Sequence, residues 1–306
     1  MDLSGGTMKK TILATILSIS LILNNIIFIQ AALTEEKVHF IDVGQGDSTL
    51  VESNGLYMLI DAGDEAYGDV VIQYLEENNV EKLDYIIATH PHADHIGGLD
   101  DVINKFAVDT VIIPNVPATT KVFERLVMAI NKSGATVKEP IVGENYVLGD
   151  FSFTIIAPVK YNQKNLNNSS VGVKLVNDND SFIMVGDAEA TAEKDIINSG
   201  LDIKANVLKL NHHGSNTSTN ENFLNSVSPE HIVISVGANN DYGHPHKETL
   251  DKIKDIDTYR TDEYGSIIAL SSGNGIEFTS PTDEESEYNW FDYIIEFLSL
   301  VREIFA

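Results

Sequence analysis

Residues 89–98 read Thr89-His90-Pro91-His92-Ala93-Asp94-His95-Ile96-Gly97-Gly98. Four side chains of metal-ligating type, His90, His92, Asp94 and His95, fall within six residues. The apolar run Leu83-Asp84-Tyr85-Ile86-Ile87-Ala88 comes directly before them and reads as a buried strand. A strand ending in a ligand-dense loop closed by two glycines can hold metal ions at the rim of a rigid sheet. In an extended loop His90 and His92 point to one side and can share one ion. Asp94 and His95 can then turn toward a second. Imidazole and carboxylate donors suit Zn, Mn or Fe, and carboxylate-rich sites accept Mn well.

The rest of the chain repeats this arrangement of strand and polar loop. Phe182-Ile183-Met184-Val185-Gly186-Asp187 is an apolar strand pattern ending in a carboxylate. Asp187 could merely cap the helical pattern that starts at Ala190. Beside a histidine cluster it can instead bridge two cations, which sit roughly 3.5–4 Å apart in two-metal sites. Leu208-Lys209-Leu210-Asn211-His212-His213-Gly214-Ser215 follows, and then Ser235 to His246 with Tyr242-Gly243-His244-Pro245-His246. Five of the nine histidines (His90, His92, His95, His213 and His244) therefore fall at the carboxyl ends of expected strands, with Asp94 and Asp187. Loops at one rim of a sheet are where sites assemble. His39 and His231 lie at or near strand starts and read as structural. His246 follows Pro245 and reads as solvent-facing or as a brace behind a ligand.

Around these loops, short strand patterns alternate with helical ones. Strands are expected at Val38–Val43, Ser48–Glu52, Tyr57–Ile60, Val111–Ile113, Tyr146–Leu148, Phe151–Ala157, Val171–Val176, Phe182–Val185, Asn206–Leu210, Ile232–Val236 and Ser266–Leu270. Helices are expected at Val70–Asn79, Leu99–Phe106, Lys121–Lys132, Ala190–Asn198 and Glu248–Ile256. The order is strands, mixed α/β, strands, mixed α/β. That order predicts an α/β protein of two similar halves, each a sheet covered by helices, in a layered sandwich. The domain is expected to span residues 36–279.

Composition limits the function. The 306 residues carry a formal net charge of −26, against a general electrostatic grip on nucleic acid. A local site whose positive charge comes from metal ions remains open. There is no cysteine, so any metal is held by nitrogen and oxygen. At the start, Met8-Lys9-Lys10 precedes an apolar stretch from Thr11 to Ile29 that ends at Gln30-Ala31-Ala32. This is the pattern of a secretory signal peptide over residues 1–32, or of an uncleaved N-terminal anchor. Either reading puts the folded part outside the cytoplasm, secreted or anchored. At the other end, residues 280–306 read as an acidic linker and an amphipathic helix with Trp290, Phe291, Ile294, Phe297 and Leu298. That helix either docks on the domain or contacts a partner or membrane surface. Its Asp292, Glu296 and Glu303 disfavour anionic lipid.

Taken together, the motifs resemble the metallo-β-lactamase superfamily, and within it the hydrolase domain of the competence protein ComEC. The resemblance rests on Phe40-Ile41-Asp42-Val43-Gly44-Gln45-Gly46-Asp47-Ser48, Leu59-Ile60-Asp61-Ala62-Gly63, the histidine cluster, Asn168-Ser169-Ser170, Gly186-Asp187-Ala188, His212-His213-Gly214-Ser215, Tyr242-Gly243-His244-Pro245 and Arg260-Thr261-Asp262. It implies an αβ/βα four-layer sandwich. It also implies two divalent ions, Zn or Mn: one on His90 and His92, the other on Asp94, His95 and His244, with Asp187 between them. Asp61 would orient a ligand histidine. Asp42, Asp47, Ser169, His212 and Arg260 would support ligands or touch substrate, although Arg260 could equally form a local ion pair.

One departure bears on chemistry. Many superfamily members supply a further histidine between the first cluster and the Gly-Asp, yet none occurs here between His95 and His212. The first metal position is then short of a ligand, unless His213 or water fills it, which leaves room for a phosphate oxygen. The expected activity is hydrolysis of a phosphodiester, in DNA or in a cell-wall or choline-phosphate compound. The metal-activated water sits beside Asp94, and His213, or else His212, donates the leaving-group proton. A β-lactam or thioester hydrolase and a non-catalytic surface module with a degenerate site are the alternatives.

Overall fold

Alternation along the first strands sets the layers. Val38 and Phe40 face inward on β1 (Glu36–Phe40), as do Val51 on β2 (Thr49–Ser53) and Met58 and Ile60 on β3 (Leu56–Ile60). Leu50 and Leu59, one residue out of phase, face the opposite side. The sheet therefore has two apolar faces and must be covered twice. The computed structural model describes residues 36–280. The expected N-terminal segment lies outside the described residues, and so do the acidic linker and C-terminal helix beyond Ser280.

The first sheet continues with β4 (Lys82–Ile87), β5 (Ala107–Ile112) and β6 (Thr136–Lys138). Strands β1–β3 are antiparallel, and β3–β6 run parallel through helical crossovers. The helices over its outer face are α1 (Gly68–Glu77), α2 (Ala93–Ile96), α3 (Leu99–Lys105) and α4 (Lys121–Ser133). The second half repeats the plan. Strands β7 (Asn145–Leu148), β8 (Phe151–Ala157), β9 (Gly172–Asn177) and β10 (Asp180–Met184) are antiparallel. Strands β11 (Val207–Lys209), β12 (His231–Ile234) and β13 (Asp257–Arg260) join β10 in parallel. Its helices are α5 (Ala190–Asn198), α6 (Glu221–Val227), α7 (Lys247–Ile253) and α8 (Thr261–Tyr264).

The chain then crosses back. Strands β14 (Ile267–Ser271) and β15 (Ile276–Thr279) belong to the first sheet, β14 pairing antiparallel with β1. The result is an eight-stranded and a seven-stranded sheet. One core lies between the sheets, built from Phe40, Met58, Phe151, Phe153 and Phe182 among others. Two more lie between each sheet and its helices. This is the expected four-layer αβ/βα sandwich. The expected strands and longer helices stand close to their places. Six short elements, β6, β13, β15, α2, α6 and α8, were not expected. Among the described residues no helix is long and apolar enough to cross a membrane.

Candidate metal centre

The loop after β4 carries the ligand cluster, and its shape is fixed from beneath. Asp61, just past β3, is fully buried with φ +58°, a conformation few non-glycine residues adopt. Its carboxylate accepts from the Thr89 backbone N at 2.8 Å and the Thr89 Oγ1 at 2.6 Å. It also meets His95 Nδ1 at 2.8 Å. That contact turns His95 Nε2 toward Asp187. Thr89 Oγ1 (3.1 Å) and Ser170 Oγ (3.3 Å) hold His90 Nδ1 in the same way. Close by, the Asp47 N donates to the Asp94 carbonyl at 3.1 Å. A Cβ on Gly46 would collide with that carbonyl, so glycine is required there.

The second half brings its own side chains to the same place. Asp187 follows β10 and points between the histidines. Its Oδ1 lies 3.1 Å from His95 Nε2 and 3.6 Å from His213 Nε2. Its Oδ2 lies 3.7 Å from His90 Nε2 and 3.5 Å from His212 Nε2. His213 arrives through an unusual turn: His212 and His213 both have left-handed backbones, with φ +51° and +54°. The His213 Nδ1 donates to the Ser235 carbonyl at 2.9 Å, so its Nε2 faces Asp94 at 3.5 Å.

Two groups of donors result, sharing Asp187. One is His90, His92 and Asp187; the other is Asp94, His95, Asp187 and His213. Asp187 Oδ1, His95 Nε2 and His213 Nε2 are buried and have no hydrogen-bond partner, although they converge. Unpartnered buried polar atoms are costly. A divalent cation among them would remove that cost, so the residues fit a metal. Asp47, Asp61 and His95 form a third close group. There the carboxylates are already committed, Asp61 to Thr89 and His95, Asp47 to Lys209 at 2.5 Å. They read as supports for ligands.

The electrostatics agree with this division. Burial opposes charge on His213, but Asp187 and Asp47 outweigh it and push its pKa to about 10. For His95 the carboxylates of Asp187, Asp94 and Asp61 likewise overcome burial and raise the pKa. Burial also disfavours the Asp94 charge, but His95 and His213 reverse this and lower its pKa to about 2. Burial, with the charge of neighbouring His95, lowers His90. The carboxylates thus favour the charged form of His95 and His213, whereas His90 is pushed toward the neutral form that can bind metal.

Several expected residues stand elsewhere. His244 does not complete the second group; His213 does. The His244 ring is 6.2 Å from that of His213 and 5.5 Å from that of His212. Its pKa is lowered to about 4, by burial first and then by the neighbouring histidines. Ser169 turns away, its Oγ accepting from the Asn162 N at 2.7 Å, and the adjacent Ser170 reaches His90 instead. Asp42 caps its own turn, accepting from the Gly44 N at 3.0 Å. Arg260 is held in ion pairs with Asp262 at 2.6 Å and Glu263 at 2.9 Å, the local pairing. His246 braces the loop, its Nδ1 accepting from the Asn216 N. Lys209, which sequence reading passed over inside an apolar strand, lies buried behind the site.

The metallo-β-lactamase superfamily model matches residues 41–237, well over half of the chain. The protein belongs to this superfamily of metal-dependent hydrolases, a fold that implies divalent metal ions. Among curated proteins it is similar to competence proteins, over part of their length. It is 31% identical over 263 residues to ComE operon protein 3 of Bacillus subtilis, covering 79% of this chain and 34% of the relative. It is 28% identical over 238 residues to the competence protein ComA of Neisseria gonorrhoeae, covering 74% of this chain and 31% of that protein. The chain thus spans about a third of the length of these curated relatives. Among solved structures, the metallo-β-lactamase fold protein YhfI from Bacillus subtilis superposes with a TM-score of 0.52 at 12% identity. That match covers 78% of this chain and 100% of YhfI and concerns the fold alone.

Proposed function

We propose that this chain is a phosphodiesterase that uses two divalent ions, Zn or Mn, and acts outside the cytoplasm. The observation that carries the reading is the inequality of the two donor groups. One has four protein donors, and the other, His90, His92 and Asp187, has three. The second therefore keeps room for a substrate oxygen next to a filled position. Bound there, the ions would supply an activated water and a clamp on the phosphoryl oxygens.

The chain's own residues then have these roles. Asp187 offers one oxygen to each group and fixes their separation. Thr89, Ser170 and Asp61 hold the ring orientations of His90 and His95. With His213 among the ligands, His212 becomes the candidate donor of the leaving-group proton. It is partly exposed, its Nε2 faces Asp187 Oδ2, and its Nδ1 is braced by Thr217 Oγ1 at 3.2 Å. His244 is the second candidate.

Competence-protein relatives favour a nucleic-acid diester. The net charge of −26 favours a short or cell-wall diester over long DNA. The Thr11–Ile29 stretch supports an outward location.

Purified protein loaded with Mn or Zn should cleave bis-p-nitrophenyl phosphate. It should leave nitrocefin and a thioester largely intact. Lactam opening without diester cleavage would overturn the choice. A protein that binds well under one metal per chain, with or without His92→Ala and Asp94→Ala, would end the enzyme reading.

A further inference from the structure

A lysine at the end of a central strand normally has no place inside a protein. Lys209 closes β11, in the middle of the second sheet, and is only 4% exposed. Burying an ammonium is costly unless it is paired. Its partner comes from the other half of the molecule. Lys209 Nζ meets Asp47 Oδ2 at 2.5 Å, and Asp47 belongs to the loop after β1. Asp47 is itself 3% exposed.

Asp47 does not end at the lysine. Its Oδ1 has no hydrogen-bond partner and lies 3.3 Å from His213 Nδ1. Its Oδ2 lies 3.8 Å from His95 Nδ1. Both rings present their opposite nitrogen, Nε2, to Asp187 Oδ1. The Asp47 carboxylate thus stands behind the two imidazoles of the four-donor group. His95 is already fixed by Asp61 at 2.8 Å, and His213 has only the Ser235 carbonyl at 2.9 Å and Asp47. The backbone of Asp47 is tied in as well: its N donates to the Asp94 carbonyl, and its carbonyl accepts from the Gly63 N at 2.8 Å. Only the side-chain rotation is left to set, and the ammonium sets it. It can donate but never accept, so it takes one oxygen and leaves the other for His213.

We infer that Lys209 is a positioning residue for the four-donor metal site. By pinning Asp47 across the two halves of the fold, it fixes the ring of His213 as a ligand. The inference rests on the metal-site reading above but not on the nature of the substrate.

Titration calorimetry with Mn or Zn on the full chain, together with metal content, tests it. Lys209→Met should weaken the tighter-bound ion by about 10- to 100-fold, the usual cost of losing a group that supports a ligand. Binding to the three-donor site should change much less. Asp47→Asn should weaken the same ion. The double variant should be no worse than the more severe single one, because both changes cut one chain of contacts. Far-UV circular dichroism and thermal unfolding of the metal-free forms check the fold. If Lys209→Met does not fold, Lys209→Arg and Asp47→Asn carry the comparison, and a loss confined to the tighter ion is again expected. Unchanged affinity in folded variants, or strictly additive losses, would overturn the inference. Failure of the unmodified chain to bind metal would instead sink the metal-site reading itself.

Discussion

His213 shows how much one residue's conformation decides. A left-handed backbone at His212 and His213 delivers the His213 ring into the donor group, beside Asp94 and Asp187. Held at a pKa of about 10 by Asp187 and Asp47 once burial is outweighed, metal-free His213 carries a proton at neutral pH. An imidazolium cannot be a ligand, so metal entry must expel that proton. The folded pKa lies above the unfolded value near 6.5. The stabilisation from protonated His213 is therefore complete below about pH 6.5 and is lost as pH rises toward 10. Two outcomes are expected. Metal-free protein should lose stability between about pH 6.5 and 10 in denaturant titrations. Metal affinity should rise over the same range, with proton release visible as buffer-dependent heats of binding. Affinity that is flat from pH 6 to 9 would contradict the protonated state. This residue was only half legible in the sequence. His213 and His244 both follow strands and precede glycine or proline, and nothing in the residue types says which ring points inward. The run from His90 to His95 needed no such conformation, because its spacing alone gathers the ligands.

At the scale of elements, the loop carrying His212 and His213 is tethered to helix α5. Glu193 of that helix is fully buried, and it accepts from Asn211 Nδ2 at 2.7 Å and the Asn220 N at 3.0 Å. Thr219 N and Asn220 Nδ2 also donate to it. Glu193→Ala would leave four donors without an acceptor. Each lost bond to a charged group is worth about 1.5–3 kcal/mol at most, and relaxation and water recover part of that. A net loss of about 3 kcal/mol is expected, read as a lower urea midpoint at unchanged m. A loss below about 1 kcal/mol would mean that the loop is held by other contacts. Long apolar strands such as Phe151–Ala157 and the helix Ala190–Asn198 were legible because burial on a fixed face imposes a period. The missed strands are three or four residues long and lie at sheet edges, and an alternation as short as Ile276-Glu277-Phe278-Thr279 covers too few residues to stand out as a period. Helix α6 was missed because its polar Asn222, Asn225 and Ser226 interrupt the apolar face made by Phe223, Leu224 and Val227.

Across the whole molecule, the metal site is where the two halves meet. His90, His92, Asp94 and His95 come from the first, and Asp187 and His213 from the second. The motifs pointed to two halves, but not to the return of β14 and β15 to the first sheet. That pairing joins residues more than two hundred positions apart, such as Val38 and Ala269, and leaves no local periodic signal. The seam also gathers Asp47, Asp61, Asp94 and Asp187, against one buried lysine and the imidazoles. Without metal the carboxylates of the seam are offset only by Lys209 and by protons drawn onto His95 and His213. Metal that binds only the folded seam stabilises by mass action, by about 4 kcal/mol per site when free ion is a thousandfold above its dissociation constant. Chelation should therefore lower the melting temperature of the whole domain in one cooperative step. For a domain of this size, 4 kcal/mol corresponds to a drop on the order of 8–16 °C, or more if both sites are filled. Differential scanning calorimetry before and after EDTA, with Mn or Zn added back, measures it. A single transition that shifts down and returns is expected. Two separate transitions after chelation would mean that each half folds alone and the metal only joins them. No shift at all would mean that the converging carboxylates and histidines hold no ion in solution.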